Sequence, residues 1–358
     1  MWLVLGDKGG DNGQAEAVAK ALGWPCERKS LRMRAPFVLG KPRVAAALDH
    51  IDLERSDPLE PPWPDLVLTI GRRPSSVALW IREQSGGRTK IVLIGKPSGP
   101  IGWFDLVVAS AENAMPPLPN VVPVTLPLMA IDAEAIAAAG AAWQDRFADL
   151  PRPLIAILVG GSTGQVAFDR AVVDRVIAAI HEVSRQTGGT VCVTTSRRTP
   201  ESAVSRLAAS LPAGGRLFPW TPEAGENPYH GLLALADGFV VTGDSISMMV
   251  EVVRARKPLA ILPIPVRGVG RVDQWRRAWI RALFADRGHG WRRHLRQAMA
   301  RLLHRLGVAT QTRDFLAFHR LLVERGLAAP LGRGFPPPKG EVPDDLPKVV
   351  AAIEALFR

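Results

Sequence analysis

The stretch Val240-Val241-Thr242-Gly243-Asp244-Ser245-Ile246-Ser247-Met248-Met249-Val250-Glu251 constrains the fold most. Lys257-Pro258 and Leu259-Ala260-Ile261-Leu262-Pro263 follow it. Phe239 to Val241 are aromatic and β-branched, which suits a buried strand. Gly243 permits a sharp turn. Asp244 or Ser245 can cap a helix whose apolar face is Met248, Met249, Val250 and Val253. Pro258 stops that helix, and Leu259 to Leu262 begin the next strand. Strand, crossover helix and strand make a right-handed βαβ unit and hence a parallel sheet. A helix N-terminus at the carboxyl end of such a strand favours phosphate, through its N–H groups and its positive dipole end. Ser245 and Ser247 add hydroxyl donors. Glu251 lies about two turns on, at about 3.6 residues per turn, where a carboxylate can accept from a ribose diol. The plainer reading is an ordinary strand–helix unit with Glu251 in solvent.

The same grammar recurs along the chain. Trp2 to Leu5 is a buried strand, Gly6 to Gly13 a glycine-rich loop, and Ala15, Val18, Ala19 and Leu22 recur at helical spacing up to Gly23. The loop lacks G-x-G-x-x-G, so NAD is not expected. Residues 25–64 are rich in Pro and Arg, predicting a loop with a short helix around Val44 to Leu48. Asp65 to Gly71 is a strand; Arg72 and Arg73 follow it, and they meet either a phosphate or solvent. Lys90 to Gly95, Asp105 to Ala109 and Val121 to Leu126 are further strands, the last at an edge because of Pro123.

A helix from Ala133 to Phe147 leads to Pro151-Arg152-Pro153, the expected boundary between a first Rossmann-like domain (1–150) and a second (153–285). Leu154 to Val159 opens the second sheet, Gly160-Gly161-Ser162-Thr163-Gly164 is its first loop, and a helix runs from about Asp169 to Gln186. Thr190 to Thr195 is the next strand. Ser196, Arg197, Arg198, Thr199 and Pro200 sit at its carboxyl end. Arg binds phosphate bidentately; surface arginines are the plainer alternative. Tyr229 is the single tyrosine; it stacks on a base or simply packs. Residues 267–305 are Arg-rich, with Trp275, Trp279 and Trp291 interleaved. Trp291, Leu295, Ala298, Leu302 and Leu306 share a helical face. That is a basic amphipathic helix suited to an anionic membrane surface, or a helix packed on a domain with its arginines in water. Residues 286–358 are thus expected to form a basic C-terminal helical region, ending in a helix from Leu346 to Phe357.

Four segments together carry a family resemblance. They are Gly6-Asp7-Lys8-Gly9-Gly10-Asp11-Asn12-Gly13-Gln14; Thr195-Ser196-Arg197-Arg198-Thr199-Pro200; Glu226-Asn227-Pro228-Tyr229; and Thr242 through Glu251 with Lys257-Pro258. The chain resembles the family named after the plant elongated-mitochondria fission factor. The spacing from Glu251 to Pro258 also resembles the donor-sugar segment of two-domain GT-B glycosyltransferases. The resemblance implies an α/β fold: two Rossmann-like domains with parallel sheets facing a central cleft, plus C-terminal helices. It places Asp7, Lys8, Gly9, Asp11, Asn12, Gln14 and Arg72 on the acceptor side. It places Gly161, Ser162, Thr163, Ser196, Arg197, Arg198, Gly243, Asp244, Ser245, Ser247 and Glu251 around the donor.

The implied chemistry is inverting transfer from a nucleotide sugar, which is substrate rather than cofactor, without a metal. Helix dipole, hydroxyls and arginines stabilise the departing diphosphate. A first-domain carboxylate, Asp11 ahead of Asp7, deprotonates the acceptor hydroxyl. The implied acceptor is a lipid or envelope component at the cytoplasmic membrane face. The resemblance implies a His-Asp pair after the Asp105 strand; Ser110-Ala111-Glu112-Asn113 stands here, leaving Glu112 as the carboxylate. The alternative is a non-catalytic protein that keeps the fold and recruits partners at a membrane. An NAD-dependent sugar epimerase is disfavoured by the absent dinucleotide fingerprint.

Composition narrows the classes further. A formal charge of +11 suits an anionic partner, but no motif supports nucleic acid. Two cysteines, Cys26 and Cys192, are too few for a disulfide framework and fit a reducing cytoplasm. Met1 to Gly6 is too short for a signal peptide, and no run reaches the roughly 18 apolar residues of a membrane span. The histidines lack H-x-x-x-H spacing, so no metal is expected, and no G-x-S-x-G elbow occurs.

Overall fold

A computed structural model describes residues 1–7, 9–39, 45–221, 227–265, 269–284, 295, 298–303 and 313–358. The chain divides into two compact units. The first comprises Met1–Ala130, Asp273–Asp314 and Pro343–Arg358; the second comprises Ile131–Val272 and Phe315–Val342.

In the first unit, β1 (Trp2–Leu5), β2 (Glu27–Ser30), β3 (Leu66–Ile70), β4 (Lys90–Ile94), β5 (Leu106–Ser110) and β6 (Val121–Val124) form a six-stranded sheet. Its order is β2-β1-β3-β4-β5-β6, parallel throughout. Side chains alternate across it, as strand geometry requires. Leu3, Leu5, Leu66 and Leu68 pack beneath α1 (Gly9–Leu22). Trp2, Val4, Val67 and Ile91 pack with α3 (Arg72–Gln84), through Val77, Ala78 and Ile81. Pro123 lies on the edge strand β6, where a missing N–H costs no ladder bond.

In the second unit, β7 (Leu154–Leu158), β8 (Thr190–Thr194), β9 (Arg216–Phe218), β10 (Gly238–Thr242), β11 (Leu259–Leu262) and β12 (Ala329–Pro330) form another six-stranded sheet. Its order, β12-β11-β10-β7-β8-β9, is the doubly wound Rossmann order read from β7. Each pairing is parallel. Ile155, Ile157 and Val159 pack under Val172, Val173, Val176 and Ile180 of α5 (Arg170–Thr187). Asp169 caps α5, accepting from the Val172 N–H at 3.1 Å. The α/β class and the paired Rossmann-like sheets expected from the sequence are both present.

The units differ in outline from the expected domains. The break falls at 130/131, ahead of α4 (Ala133–Ala148), not at 150. α4 packs on α7 (Tyr229–Leu235): Trp143 stacks on Phe147, meets Phe218 edge-on, and lies where a Cβ on Gly231 would be. Residues 286–358 are not a separate region either. α10 (Phe315–Glu324) and β12 complete the second unit, and α11 (Leu346–Glu354) lays Val349 and Ile353 on the α1 layer of the first. The short helix in residues 25–64 is α2, at Ala35–Leu39, and β2 was not foreseen.

Candidate functional site

The carboxyl ends of β7, β8 and β10 converge at the point where the strand order reverses, between β7 and β10. In open parallel sheets that switch point is where ligands bind. Three loops meet there, and their hydrogen bonds make one structure. Thr242 Oγ1 accepts from the Gly160 N–H at 2.8 Å and donates to Asp244 Oδ1 at 2.8 Å. Asp244 Oδ2 accepts from the Gly161 N–H at 2.9 Å and from Ser245 Oγ at 3.1 Å. Arg198 Nη2 lies 3.0 Å from the same oxygen and 3.1 Å from Ser245 Oγ, while its Nη1 donates to the Gly161 carbonyl at 3.1 Å. The Asp244 side chain has no exposed surface. Arg198 neutralises it there, which a buried carboxylate requires.

Glycines make this closeness possible. A Cβ on Gly160 would lie 2.1 Å from Asp244 Oδ2, and one on Gly161 would lie 2.0 Å from the Arg198 carbonyl oxygen. Ser162 Oγ accepts from the Phe168 N–H and Thr163 Oγ1 from those of Gln165 and Val166, so both hydroxyls shape the loop. Ser196 and Thr199 shape the next one. The Ser196 N–H donates to Thr199 Oγ1, and Ser196 Oγ accepts from the Arg198 N–H at 3.2 Å. Arg197 and Ser247 are exposed. Ser245 precedes α8 (Ile246–Arg254) and makes no side-chain cap bond, so its hydroxyl does not cap the first N–H groups of α8. A guanidinium has five N–H donors; Gly161, Asp244 and Ser245 take up only part of that capacity in Arg198.

Glu251 sits on α8, where Tyr229 Oη donates to its Oε2. Burial pushes the Glu251 carboxyl upward; the Tyr229 hydrogen bond and His230 pull the other way. Burial and the adjacent Glu251 push the Tyr229 phenol well above its usual range. Glu251 is therefore a held, partly desolvated carboxyl, not one lying in water.

Sequence reasoning missed His319. This buried histidine on α10 meets the Gly243 carbonyl through Nε2 at 2.9 Å, and a Cβ on Gly243 would lie 2.8 Å from its ring. No local pattern marks it, because its partner lies far away in sequence.

In the first unit, Arg73 holds Asp7 through two contacts of 3.2 Å, one to each carboxylate oxygen, and donates to the Phe37 carbonyl. Asn12 Nδ2 donates to the Gly6 carbonyl at 2.8 Å, and Gln14 Oε1 accepts from the Leu128 N–H at 3.2 Å. These amides secure the loop. Gly9 opens α1, and Arg72 is exposed at the start of α3. Lys8 and the Asp11 side chain lie outside the described residues. Of the expected amphipathic face, Trp291 and Leu306 lie outside them too; Leu295 and Leu302 are exposed. Among the described residues no group of three His, Cys, Asp or Glu is arranged to hold a metal ion. No described helix is long and apolar enough to cross a membrane.

A family model described as Mitochondrial fission ELM1 matches residues 9–288. The Mitochondrial fission protein ELM1 of Arabidopsis thaliana is 27% identical over 221 residues, covering 56% of this chain and 51% of that protein. The chain thus spans about half the length of that relative. An uncharacterised protein of Rickettsia prowazekii (strain Madrid E) is 22% identical over 300 residues, 74% of this chain and 83% of that one. Among solved structures, S. aureus MnaA with UDP gives a TM-score of 0.47 at 13% identity, over 90% of this chain and 94% of that. The UDP-GlcNAc 2-epimerase of Methanocaldococcus jannaschii gives 0.47 at 10%, over 99% of each. A glycosyltransferase of Rickettsia africae ESF-5 gives 0.46 at 10%, over 90% and 93%.

Proposed function

The chain belongs to the Mitochondrial fission ELM1 family, and from that premise we propose that it binds a nucleotide sugar at the β7/β10 switch point and transfers the sugar to a hydroxyl acceptor without a metal. The observation that carries this reading is the Arg198–Asp244–Ser245 arrangement at the head of α8. Asp244 fixes the arginine, so its remaining donors are preorganised beside the α8 N-terminus. Positive charge fixed where a diphosphate departs lowers the barrier by electrostatic stabilisation. Glu251, oriented by Tyr229 on Oε2, keeps Oε1 for a hydroxyl of ribose or sugar.

Asp11 or Asp7 deprotonates the acceptor, and Asp7 serves only when Arg73 releases one of its oxygens. The acceptor is a lipid or envelope component at the cytoplasmic membrane face. Trp275 and Trp279, both exposed on α9 (Val269–Phe284), suit a lipid surface. The rival reading is a non-catalytic recruitment protein; the name of the Arabidopsis relative and the engagement of both Asp7 oxygens favour it.

Thermal denaturation with a panel of nucleotides and nucleotide sugars decides. A ligand at about 100 times its dissociation constant stabilises by roughly 2.7 kcal/mol. We expect one nucleotide class to raise the wild-type Tm, with a smaller shift in Arg198→Gln and Glu251→Gln. If no nucleotide shifts the folded wild type, the transfer reading falls and recruitment stands.

A further inference from the structure

His319 holds the turn at the head of α8 through a contact that the transfer reading does not use. The Thr242 carbonyl accepts from the Ser245 N–H at 3.0 Å, closing a β-turn whose middle peptide joins Gly243 to Asp244. The Gly243 N–H is spent on the Leu262 carbonyl at 2.8 Å. His319 Nε2 meets the Gly243 carbonyl at 2.9 Å; a carbonyl only accepts, so this nitrogen carries the proton and donates. His319 is 9% exposed, and its ring comes this close because Gly243 has no Cβ.

A trans peptide points its C=O and its N–H in opposite directions. With the Gly243 carbonyl turned onto His319, the Asp244 N–H of the same peptide points away from His319. Gly243 and Ser245 use their N–H groups within the fold; the Asp244 N–H has no acceptor among the described residues, and Asp244 is 4% exposed. Buried backbone donors are nearly always paired, so this one calls for an acceptor that the turn does not supply. The Asp244 carboxylate meanwhile fixes Arg198 and the Gly161 N–H. Two residues on, α8 begins, with first N–H groups that a helix leaves without internal acceptors. Successive backbone N–H groups in a turn make a concavity for anions. The middle peptide is also the part of a β-turn that reverses between types I and II. Reversal would put a carbonyl oxygen where the Asp244 N–H stands, and that oxygen repels an anion.

We propose that His319 is a positioning residue for the nucleotide diphosphate: it locks the Gly243–Asp244 peptide so that the Asp244 N–H donates to a phosphate oxygen. This rests on the transfer reading above and deepens it. The diphosphate meets a backbone dipole set beforehand, beside the Arg198 guanidinium, and no peptide has to turn when it arrives. A histidine on α10, far along the chain from the turn, thereby makes the end of the second unit part of the nucleotide site.

The test is nuclear magnetic resonance of the full chain, titrated in turn with ADP, GDP, CDP, UDP and dTDP. Isotope labelling of glycine carbonyl carbons and aspartate nitrogens leaves three peptide signals, from Gly6-Asp7, Gly10-Asp11 and Gly243-Asp244. Asp7→Asn and Asp11→Asn each delete one, which identifies the third. We expect the Asp244 amide proton to move downfield on binding, as a donor to a charged oxygen does. His319→Leu should weaken the nucleotide by about tenfold or more, and His319→Gln, which keeps an N–H donor, should restore most of the affinity. Leu322→Ala, which hollows the packing of the same helix without removing a hydrogen bond of the turn, should lower Tm and leave the affinity unchanged. If His319→Leu fails to fold, the wild-type Asp244 signal still decides. An Asp244 signal that bound nucleotide leaves unmoved overturns the proposal. So does full affinity in His319→Leu, or an equal loss in Leu322→Ala. In each of these cases a nucleotide still binds and the transfer reading stands. If no nucleotide binds the wild type, the transfer reading falls and the role of His319 falls with it.

Discussion

Asp244 looks, in sequence, like a helix cap or a ligand. In the fold it is the knot that joins the Gly160–Gly161 loop, Arg198 and Ser245. Two of its neighbours in that knot, Gly161 and Arg198, set a sharp stability test. A methyl on Gly161 meets backbone, not a flexible side chain, so the loop must shift. Gly161→Ala should cost about 1–3 kcal/mol in urea denaturation, and a variant within a few tenths of wild type would contradict the geometry. Glycine was readable as close approach; what it approaches was not, because Arg198 is dozens of residues away. Ser162, Thr163, Asn12 and Gln14 were readable as polar loop residues, yet each engages the backbone of its own surroundings. Lys96 gives a pH test at the same scale. Its folded value, about 8, lies below the ordinary 10.5. The unfolded chain therefore takes up its proton first as pH falls from 10.5 towards 8, and folding loses stability over that window and stays penalised below it. Lys96→Met should raise Tm by a few degrees at pH 7, and the gain should vanish above pH 10.5.

At the scale of elements, what burial dictates was legible and what packing partners dictate was not. β3, β4, β5, β7, β8 and β10 are apolar runs because neighbours cover both faces. β2, Glu-Arg-Lys-Ser, is an edge strand with one buried position, Lys29, whose ammonium lies over Trp2. Nothing in its composition announces a strand. β12 is only Ala329–Pro330, too short to show a period. α4 is alanine-rich, and its amphipathic face does not say which sheet it serves. Trp143 settles that in the structure, through Phe147, Phe218 and the Arg146 guanidinium over its ring. Trp143→Ala should therefore cost about 3–5 kcal/mol of second-unit stability. Protection of β7 and β8 amides against hydrogen exchange should fall while that of β3 and β4 amides stays, and the reverse pattern would place α4 in the first unit.

At the scale of the molecule, the break expected from Pro151-Arg152-Pro153 was a local signal applied to a non-local property. Those prolines lead from α4 into β7, both inside the second unit. The first unit is discontinuous, because its α1 layer is closed by α11 from the end of the chain. Val349 and Ile353 have no exposed surface. Asp345 accepts from the Thr125 N–H at 2.6 Å, and Lys348 donates to the Pro123 carbonyl at 2.6 Å, so α11 also secures the β6 edge. Removing it would expose Ala15, Val18 and Leu22 together with Val124 and Leu128. Each large apolar side chain returned to water forfeits about 1.5–3 kcal/mol, a sizeable part of the roughly 5–15 kcal/mol that stabilises a native protein. Residues 1–150 expressed alone should therefore show no cooperative thermal transition. Adding residues 343–358 as a separate peptide should restore protection to α1 amides. A fragment 1–150 that melts cooperatively by itself would show that the first sheet needs nothing from the C-terminus, and would return the boundary to the prolines.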